Sequence, residues 1–261
     1  MNDAEVGRYW DANAEAWTAL SRAGYDVYRD ALNTPAFLDM LPDVAGLRGL
    51  DLGCGEGSNT QAVRRRCAAM AAVDVSPTFI AHAVAAEREA RLGIEYSVAS
   101  GQSLPFADAS FDFATSFMAL MDLPDQPKAF AEILRVLRPG GFLQFSITHP
   151  CFDTPHRRNL RDANRVTYAI EVGRYFDRID GRIDEWIFSA APAEERQKYA
   201  KFRVPRFHRT LAEWVNMTVA AGFVIERFGE PRVGEAYAKD LQLQDAGVVP
   251  YFLHVRCRKP A

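Results

Sequence analysis

Two aspartates bracket a glycine-rich turn near the middle of the first half of the chain. Asp51 lies at the end of an apolar stretch, and Gly53, Gly55 and Gly57 follow it at once. Glycines at such a turn permit positive φ and let a ligand approach the backbone closely. Asp51 at this position would repel a pyrophosphate but pair with an ammonium group. Asp74 ends the next apolar stretch, where a carboxylate can accept hydrogen bonds from ribose hydroxyls.

The elements that position these aspartates alternate between strand and helix. Short apolar runs predict strands at residues 47–52, 71–75, 94–98, 111–117 and 141–148. Helices are predicted between them at 59–69, 78–91 and 128–137. Such alternation is typical of a parallel sheet covered on both faces. The predicted fold class is α/β: a Rossmann-like, three-layer, doubly wound sheet, mostly parallel with an antiparallel last strand.

The segments on either side of this series follow other patterns. Helices are predicted at 9–32 and 34–41, and again from the N-cap residue Thr210 to residue 221. Between them, residues 149–208 show no alternation. A hairpin is expected there, with strands 168–176 and 182–188 on either side of Asp180-Gly181. The last strands are predicted at 224–228 and 251–256.

The chain as a whole is expected to be a single domain of residues 1–261. The predicted divisions are an N-terminal helical lid, a cofactor-binding core, an inserted cap and the C-terminal part of the core, at residues 1–45, 46–148, 149–208 and 209–261.

The glycine turn, its two aspartates and the turn Arg138-Pro139-Gly140-Gly141 together resemble the class I S-adenosylmethionine (SAM)-dependent methyltransferases, in particular the type 11 small-molecule group. The resemblance covers residues 47–148. It implies SAM as the cofactor and S-adenosylhomocysteine as its product. By resemblance, the glycine turn wraps the amino-acid and ribose parts, Asp51 faces the methionine ammonium directly or through water, Asp74 binds the ribose and Val75 packs on adenine.

Adenine recognition departs from the pattern of this group. The group usually has an aspartate before a Leu-Pro-Phe stretch, and Ser100 stands in that place here. Backbone groups of Gly101 and Gln102 are therefore expected to contact the adenine. Ser100 is equally consistent with an ordinary loop serine.

Phe117 and Met118 end the fourth predicted strand and should border the sulfonium, because ligands of doubly wound sheets bind outside the carboxyl ends of the strands. An aromatic ring beside a sulfonium gains about 0.5–2 kcal/mol of cation–π attraction. Phe117 is therefore a candidate catalytic residue that also contacts substrate. Either side chain could instead belong to the core.

Other candidates for the acceptor side are aromatic or titratable. Tyr9 and Trp17 share one face of the first helix, whereas Trp10 is expected to pack in the core. His149 follows the fifth strand, at the expected rim of the site, where it could act as a base or serve a structural role. Tyr175 lies in the insertion, whose aromatic residues suit either a cap over a ring-containing substrate or a subunit interface. The predicted catalytic residues are thus Tyr9, Phe117 and His149.

A narrower resemblance concerns the stretches Ser-Phe-Met-Ala-Leu-Met-Asp and Ser-Ile-Thr-His-Pro-Cys-Phe and the N-terminal Tyr-Trp-Asp-Ala-Asn-Ala pattern. They are similar to a bacterial subgroup that includes lincosamide-antibiotic N-methyltransferases. This resemblance implies an amine acceptor and a homo-oligomer.

Composition narrows the remaining choices. A net charge of −3 gives no general attraction to nucleic acid or to an anionic membrane, so the expected partner is a small-molecule substrate. The acidic N-terminus lacks signal-peptide features, and the four cysteines are scattered. A cytoplasmic location and no metal ion are therefore expected. The alternatives to N-methylation are O- or C-methylation, an NAD-linked oxidoreductase, and a non-catalytic SAM-binding protein.

Overall fold

The computed structural model describes residues 1–234 and 242–261. The strands are β1 (Arg48–Leu52), β2 (Ala69–Asp74), β3 (Ile94–Val98), β4 (Phe111–Phe117), β5 (Leu137–Thr148), β6 (His156–Arg161), β7 (Thr167–Gly173), β8 (Ile179–Trp186), β9 (Phe202–His208), β10 (Val224–Gly229) and β11 (Phe252–Arg258). The α-helices are α1 (Asp3–Arg22), α2 (Thr34–Met40), α3 (Ser58–Arg64), α4 (Pro77–Ala90), α5 (Gln126–Val136), α6 (Ala193–Arg196), α7 (Leu211–Ala220) and α8 (Gln244–Val248).

A seven-stranded sheet forms the centre of the molecule, in the order β10-β11-β5-β4-β1-β2-β3. β1, β2, β3, β4 and β5 pair in parallel, whereas β11 is antiparallel to both β5 and β10. The inner strands are buried along most of their length, which explains why apolar residues predominate in them. The predicted doubly wound α/β sheet with an antiparallel last strand is confirmed.

Helices cover both faces of this sheet and make two separate apolar cores. On one face, Phe130 of α5 and Trp214 of α7 pack with Phe145 of β5. On the other face, α2, α3 and α4 cover the sheet, and Phe37 of α2 belongs to the same core as Phe113 of β4. The result is the predicted three-layer arrangement. No helix among the described residues is both long enough and apolar enough to cross a membrane.

The N-terminal helix is shorter than the sequence predicts. α1 begins after Asn2, whose side chain accepts a hydrogen bond from Glu5 N in a capping box. It ends at Arg22 because Gly24 adopts φ +83°, a left-handed conformation that stops a helix. A π-helical turn at Arg29–Asn33 then leads directly into α2. The prediction of one continuous helix at 9–32 is therefore wrong.

The insertion contains two hairpins, and the predicted pairing is wrong. β6 pairs with β7, and β8 pairs with β9. Gly181 does not form a turn between strands. It has φ +92° and lies inside β8, where the register with β9 shifts between Asp180 and Arg182. A glycine inside a strand commonly marks such a bulge. The β6–β7 turn is instead held by Asp162, whose carboxylate accepts from Asn164 N and Val166 N.

The β8–β9 hairpin packs against α1. The buried side chain of Asn13 donates to Arg203 O at 3.1 Å and accepts from Arg203 N at 3.0 Å. Next to this pair, the ring of Trp17 contacts those of Phe188 and Phe202, with centroids 5.0 and 4.8 Å away. The insertion is therefore joined to the N-terminal helix by two hydrogen bonds and an aromatic cluster.

Candidate active site

The glycine-rich turn between β1 and α3 has a backbone that only glycine adopts readily. Gly53, Gly55 and Gly57 have φ values of +72°, +54° and +92°. A Cβ on Gly53 would lie only 2.2 Å from Ala119 Cβ, so no larger residue fits there without movement. The amides of Gly53 and Cys54 both donate to Val73 O of β2, which fixes the turn to the sheet. The turn is thus a narrow, rigid cradle at the carboxyl ends of the strands.

Asp51 is buried beneath this cradle, with 1% of its surface exposed. Its carboxylate accepts from Thr60 Oγ1 at 2.5 Å and from Thr115 Oγ1 at 2.8 Å. Burial raises the pKa of Asp51 to about 6, the two threonine hydrogen bonds oppose this rise, and the nearby Asp74 carboxylate adds to it. A cation placed beside Asp51 would favour its charged form.

Asp74 holds the other side of the turn. Its carboxylate accepts from Gly55 N and from Ser76 N, each at 2.9 Å. Burial raises the pKa of Asp74 to about 6, against the effect of these backbone hydrogen bonds. Each carboxylate oxygen has a second lone pair, so Asp74 can still accept hydrogen bonds from a ligand.

A cavity of about 330 Å³ opens at this edge of the sheet. It brings together most of the predicted cofactor residues and two predicted substrate residues, Phe117 and Trp17. The others are Asp51, Gly53, Gly55, Asp74, Val75, Gly101 and Met118. Phe117 packs on Phe37, with ring centroids 3.8 Å apart, so its ring is held rigidly at the cavity wall. The cavity lies outside the carboxyl ends of the strands, where ligands of such sheets bind.

Three predicted cofactor residues do not line the cavity but support its walls. A Cβ on Gly57 would lie 2.7 Å from the Tyr96 hydroxyl oxygen, so packing requires this glycine. Ser100 Oγ accepts from Gln102 N at 3.0 Å and shapes its own loop. Gln102 Nε2 donates to Asp3 Oδ1 at 2.6 Å and attaches α1 to that loop.

Three predicted substrate or catalytic residues also lie outside the cavity wall: Tyr9, Tyr175 and His149. The ring of Tyr9 stacks with the guanidinium of Arg203, 5.2 Å from its centroid. The Tyr175 hydroxyl accepts from Leu211 N at 2.8 Å.

His149 is likewise placed differently from the prediction. It is 3% exposed, and both of its ring nitrogens are engaged. Nε2 lies 2.9 Å from Glu230 Oε1, and Nδ1 accepts from Cys151 N at 3.2 Å. His149 therefore does not occupy the predicted rim position, because these contacts hold its ring inside the fold.

Arg29 is a cavity residue that the sequence does not reveal. Its guanidinium lies 3.3 Å from Glu56 Oε1 and donates to Ser21 O at 3.2 Å. It reaches the glycine turn because the π-helical turn rotates it there, a feature with no sequence signal. A cation at this place can pair with the carboxylate of an amino-acid ligand.

Aromatic side chains form part of the cavity wall. Trp10, Trp17, Trp186 and Phe188 contribute to it, and the Trp10 and Trp17 rings meet edge to face at 5.5 Å. Trp10, which the sequence assigned to the core, therefore also faces the cavity. Such a wall suits an apolar or ring-containing ligand.

The residues present fit SAM. Asp51 can face its ammonium, Arg29 its carboxylate and Asp74 its ribose hydroxyls, and the glycine cradle leaves space for their approach. No group of three or more His, Cys, Asp and Glu side chains in the described ranges is placed to hold a metal ion.

Fold and site together define a class I SAM-dependent methyltransferase domain, and comparisons with known proteins agree. A family model described as "Methyltransferase domain" matches residues 50–145. Over these residues the chain is similar to that family. The match includes the glycine turn, both aspartates and Phe117, but not the insertion.

Whole-chain similarity is found among solved structures. A SAM-dependent methyltransferase from Mesorhizobium loti is 29% identical, covers 86% of this chain and 96% of its own, and superposes with a TM-score of 0.68. The [4+2]-cyclase SpnF, 18% identical over 100% of this chain and 98% of its own, has a TM-score of 0.64 and shares the fold.

Curated relatives match over shorter lengths. An uncharacterised protein of Mycobacterium tuberculosis is 34% identical over 37% of this chain, and the chain spans only 35% of that relative's length. The fatty-acid O-methyltransferase of Mycolicibacterium smegmatis is 30% identical over 62% of each chain.

Proposed function

We propose that this protein transfers a methyl group from SAM to an amine nitrogen of a small molecule. The observation that supports this most is that Asp51, Asp74 and the glycine cradle all line a single cavity of about 330 Å³. Bound SAM would supply an electrophilic methyl group on a sulfonium. The protein's part is to align the acceptor with that methyl group and to exclude water.

The charges that line the cavity favour a cationic or neutral acceptor over an anionic one. Six carboxylates of the described residues line it, with the single cationic side chain of Arg29: Asp3, Asp26, Asp51, Glu56, Asp74 and Asp122. SAM would occupy the neighbourhood of Asp51, Asp74 and Arg29. Among the described lining residues, Asp122 then remains for the acceptor, without a cationic side chain beside it in the cavity wall. This arrangement suits an amine.

O-methylation is the second candidate, because the relative from Mycolicibacterium smegmatis is named a fatty-acid O-methyltransferase. A carboxylate acceptor would meet an acidic wall here, so a neutral hydroxyl group is the better oxygen acceptor. An NAD-linked oxidoreductase is disfavoured, because the buried Asp51 carboxylate beneath the glycine turn would repel a pyrophosphate bound there.

Calorimetry and a transfer assay test the proposal. S-adenosylhomocysteine should bind and NADH should not, and label from methyl-labelled SAM should appear in ring-containing secondary amines. Binding of S-adenosylhomocysteine without transfer to amines or to matched alcohols would support a non-catalytic role. No binding of either SAM or S-adenosylhomocysteine would refute the proposal.

We further propose that the protein is cytoplasmic and acts on small molecules, without nucleic-acid or membrane partners. The four cysteines are free, which suits a reducing compartment. We also propose a homo-oligomer, supported by apolar side chains exposed on the insertion such as Phe176, which is 88% exposed. Sedimentation of the purified protein tests this, and a monomer at high concentration would contradict it.

A further inference from the structure

A second, smaller cavity of about 50 Å³ lies beside the main one. Met121, Asp122 and Thr148 line both cavities and so form the wall between them. The small cavity is polar, with Asp153, Arg206, His208 and Arg209 around it. Its size allows a few water molecules, and these polar groups can hold them.

Asp122 is the ionisable residue in this shared wall. It ends the 3₁₀ turn Leu120–Asp122 that follows β4, and β9 packs on this turn. Only 9% of its surface is exposed, and no hydrogen bond to its carboxylate is formed within residues 1–234 and 242–261. Buried carboxylates normally have partners, so an unpartnered one at a cavity wall indicates a ligand contact.

The surroundings of Asp122 explain its proton affinity. Burial raises the pKa of its carboxyl group well above the usual range, the nearby Asp153 carboxylate raises it further, and Arg206 opposes them. Arg206 is itself paired with Asp153 at 3.0 Å. His208 Nε2 donates to Tyr175 O at 2.8 Å, and Arg209 is paired with Asp180 at 2.5 Å. Arg206, His208 and Arg209 are therefore each engaged elsewhere, and none of these three side chains is left to pair with Asp122 alone.

We propose that Asp122 is a catalytic carboxylate of the acceptor site, which pairs with the ammonium group of an incoming secondary amine and takes one of its protons. This inference rests on the proposed function and names the residue that prepares the nucleophile. A base is needed because a protonated amine has no lone pair for the reaction, and a base works best when its pKa lies near the working pH.

The proton balance is as follows. The ammonium nitrogen gives one of its two protons to the ionised Asp122 carboxylate and becomes neutral. Its lone pair then forms the N–C bond to the methyl carbon, while the C–S bond breaks and its electron pair goes to sulfur. The methylated nitrogen keeps one proton and one positive charge. Asp122 releases its proton through the small cavity towards Asp153 and Arg206, which are 29% and 23% exposed.

Binding to the complex with S-adenosylhomocysteine tests this role. The probes are N-methylbenzylamine and its uncharged analogue benzyl methyl ether, measured by calorimetry. The wild-type complex should bind the amine on the order of tenfold more tightly than the ether, as expected for a charge-assisted contact. Its affinity for the amine should fall as pH is lowered and Asp122 becomes protonated.

Asp122→Asn should remove both the preference for the amine and this pH dependence, and Asp122→Glu should restore part of the preference. Asp125→Asn is the matched control, since Asp125 is exposed and an asparagine can still cap α5. All variants should keep wild-type affinity for S-adenosylhomocysteine.

The inference is overturned if the wild-type complex shows no preference for the amine, or if Asp122→Asn keeps that preference. If the wild-type protein does not bind S-adenosylhomocysteine at all, the proposed function is refuted instead. The two failures are therefore distinguishable.

Discussion

Replacing Asp74 with asparagine should weaken nucleoside binding, because the ribose hydroxyls lose the charged carboxylate that accepts their hydrogen bonds. A hydrogen bond to a charged group contributes about 1.5–3 kcal/mol, so losing one such bond should raise Kd roughly 10- to 100-fold. The substitution has a second effect. Both oxygens of Asp74 accept from backbone amides, Gly55 N and Ser76 N, so an asparagine NH2 group must face one of these donors. The glycine turn should therefore also lose about 1–3 kcal/mol of stability.

A ligand pair separates these two effects. Calorimetry with 5′-methylthioadenosine and with its 2′,3′-dideoxy analogue gives a cycle in which only the ribose contact differs. If Asp74 binds the ribose, Asp74→Asn weakens the first ligand by a factor of about 10 to 100 more than the second, because any effect of the weakened turn is common to both. An equal loss for both ligands would show that Asp74 only supports the turn. Asp112→Asn is a control for general stability, because Asp112 accepts from Arg48 N outside the cavity wall.

Three further outcomes are expected. SAM should bind more weakly as pH falls below about 6, because its ammonium favours the charged form of Asp51, whose pKa is raised to about 6 without ligand. Binding at pH 6 should therefore release protons, which calorimetry in two buffers of different ionisation enthalpy measures. Proton uptake would contradict this. Gly53→Ala should abolish SAM binding, because the added Cβ would clash with Ala119. Gly93→Ala is the control: Gly93 has φ +74° and open space around it, so this change should cost only about 1 kcal/mol of stability. Similar effects of the two changes on SAM binding would refute the role of the close contact. Asn13→Ala should speed amide hydrogen exchange in both α1 and the β8–β9 hairpin, with a loss of about 1–3 kcal/mol in the free energy of protection. Unchanged exchange in either element would show that Asn13 does not join them.

The core of the fold is readable from the sequence because its strands are buried on both faces. Short, mostly apolar runs at β1, β2 and β4 with helical stretches between them are typical of a covered parallel sheet. The glycine turn is equally readable, since positive φ at Gly53 limits the residue type itself.

The acceptor side was less predictable because its residues come together through tertiary contacts. Nothing local distinguishes Gly181 as a bulge from Gly181 as a turn, and the choice depends on β9, which follows later in the chain. Arg29 lies in a stretch that the sequence predicts as one continuous helix, and the π-helical turn brings it to the cavity. Asp122 follows β4 in a short 3₁₀ turn, and only the packing of β9 on that turn buries it. His149 was misplaced because its partner Glu230 is distant in sequence.

The Asn13 hydrogen bonds also bear on how two ligands in the cavity affect each other's binding. α1 supplies Asp3, Val6 and Trp10 to the cavity, and the hairpin attached to it supplies Trp186 and Val204. We expect a ligand that draws one of these elements inward to draw the other with it, so that occupancy at either end of the cavity changes affinity at the opposite end. This linkage is reciprocal: a nucleoside that strengthens amine binding by some factor must itself be held more tightly by that same factor once the amine is present.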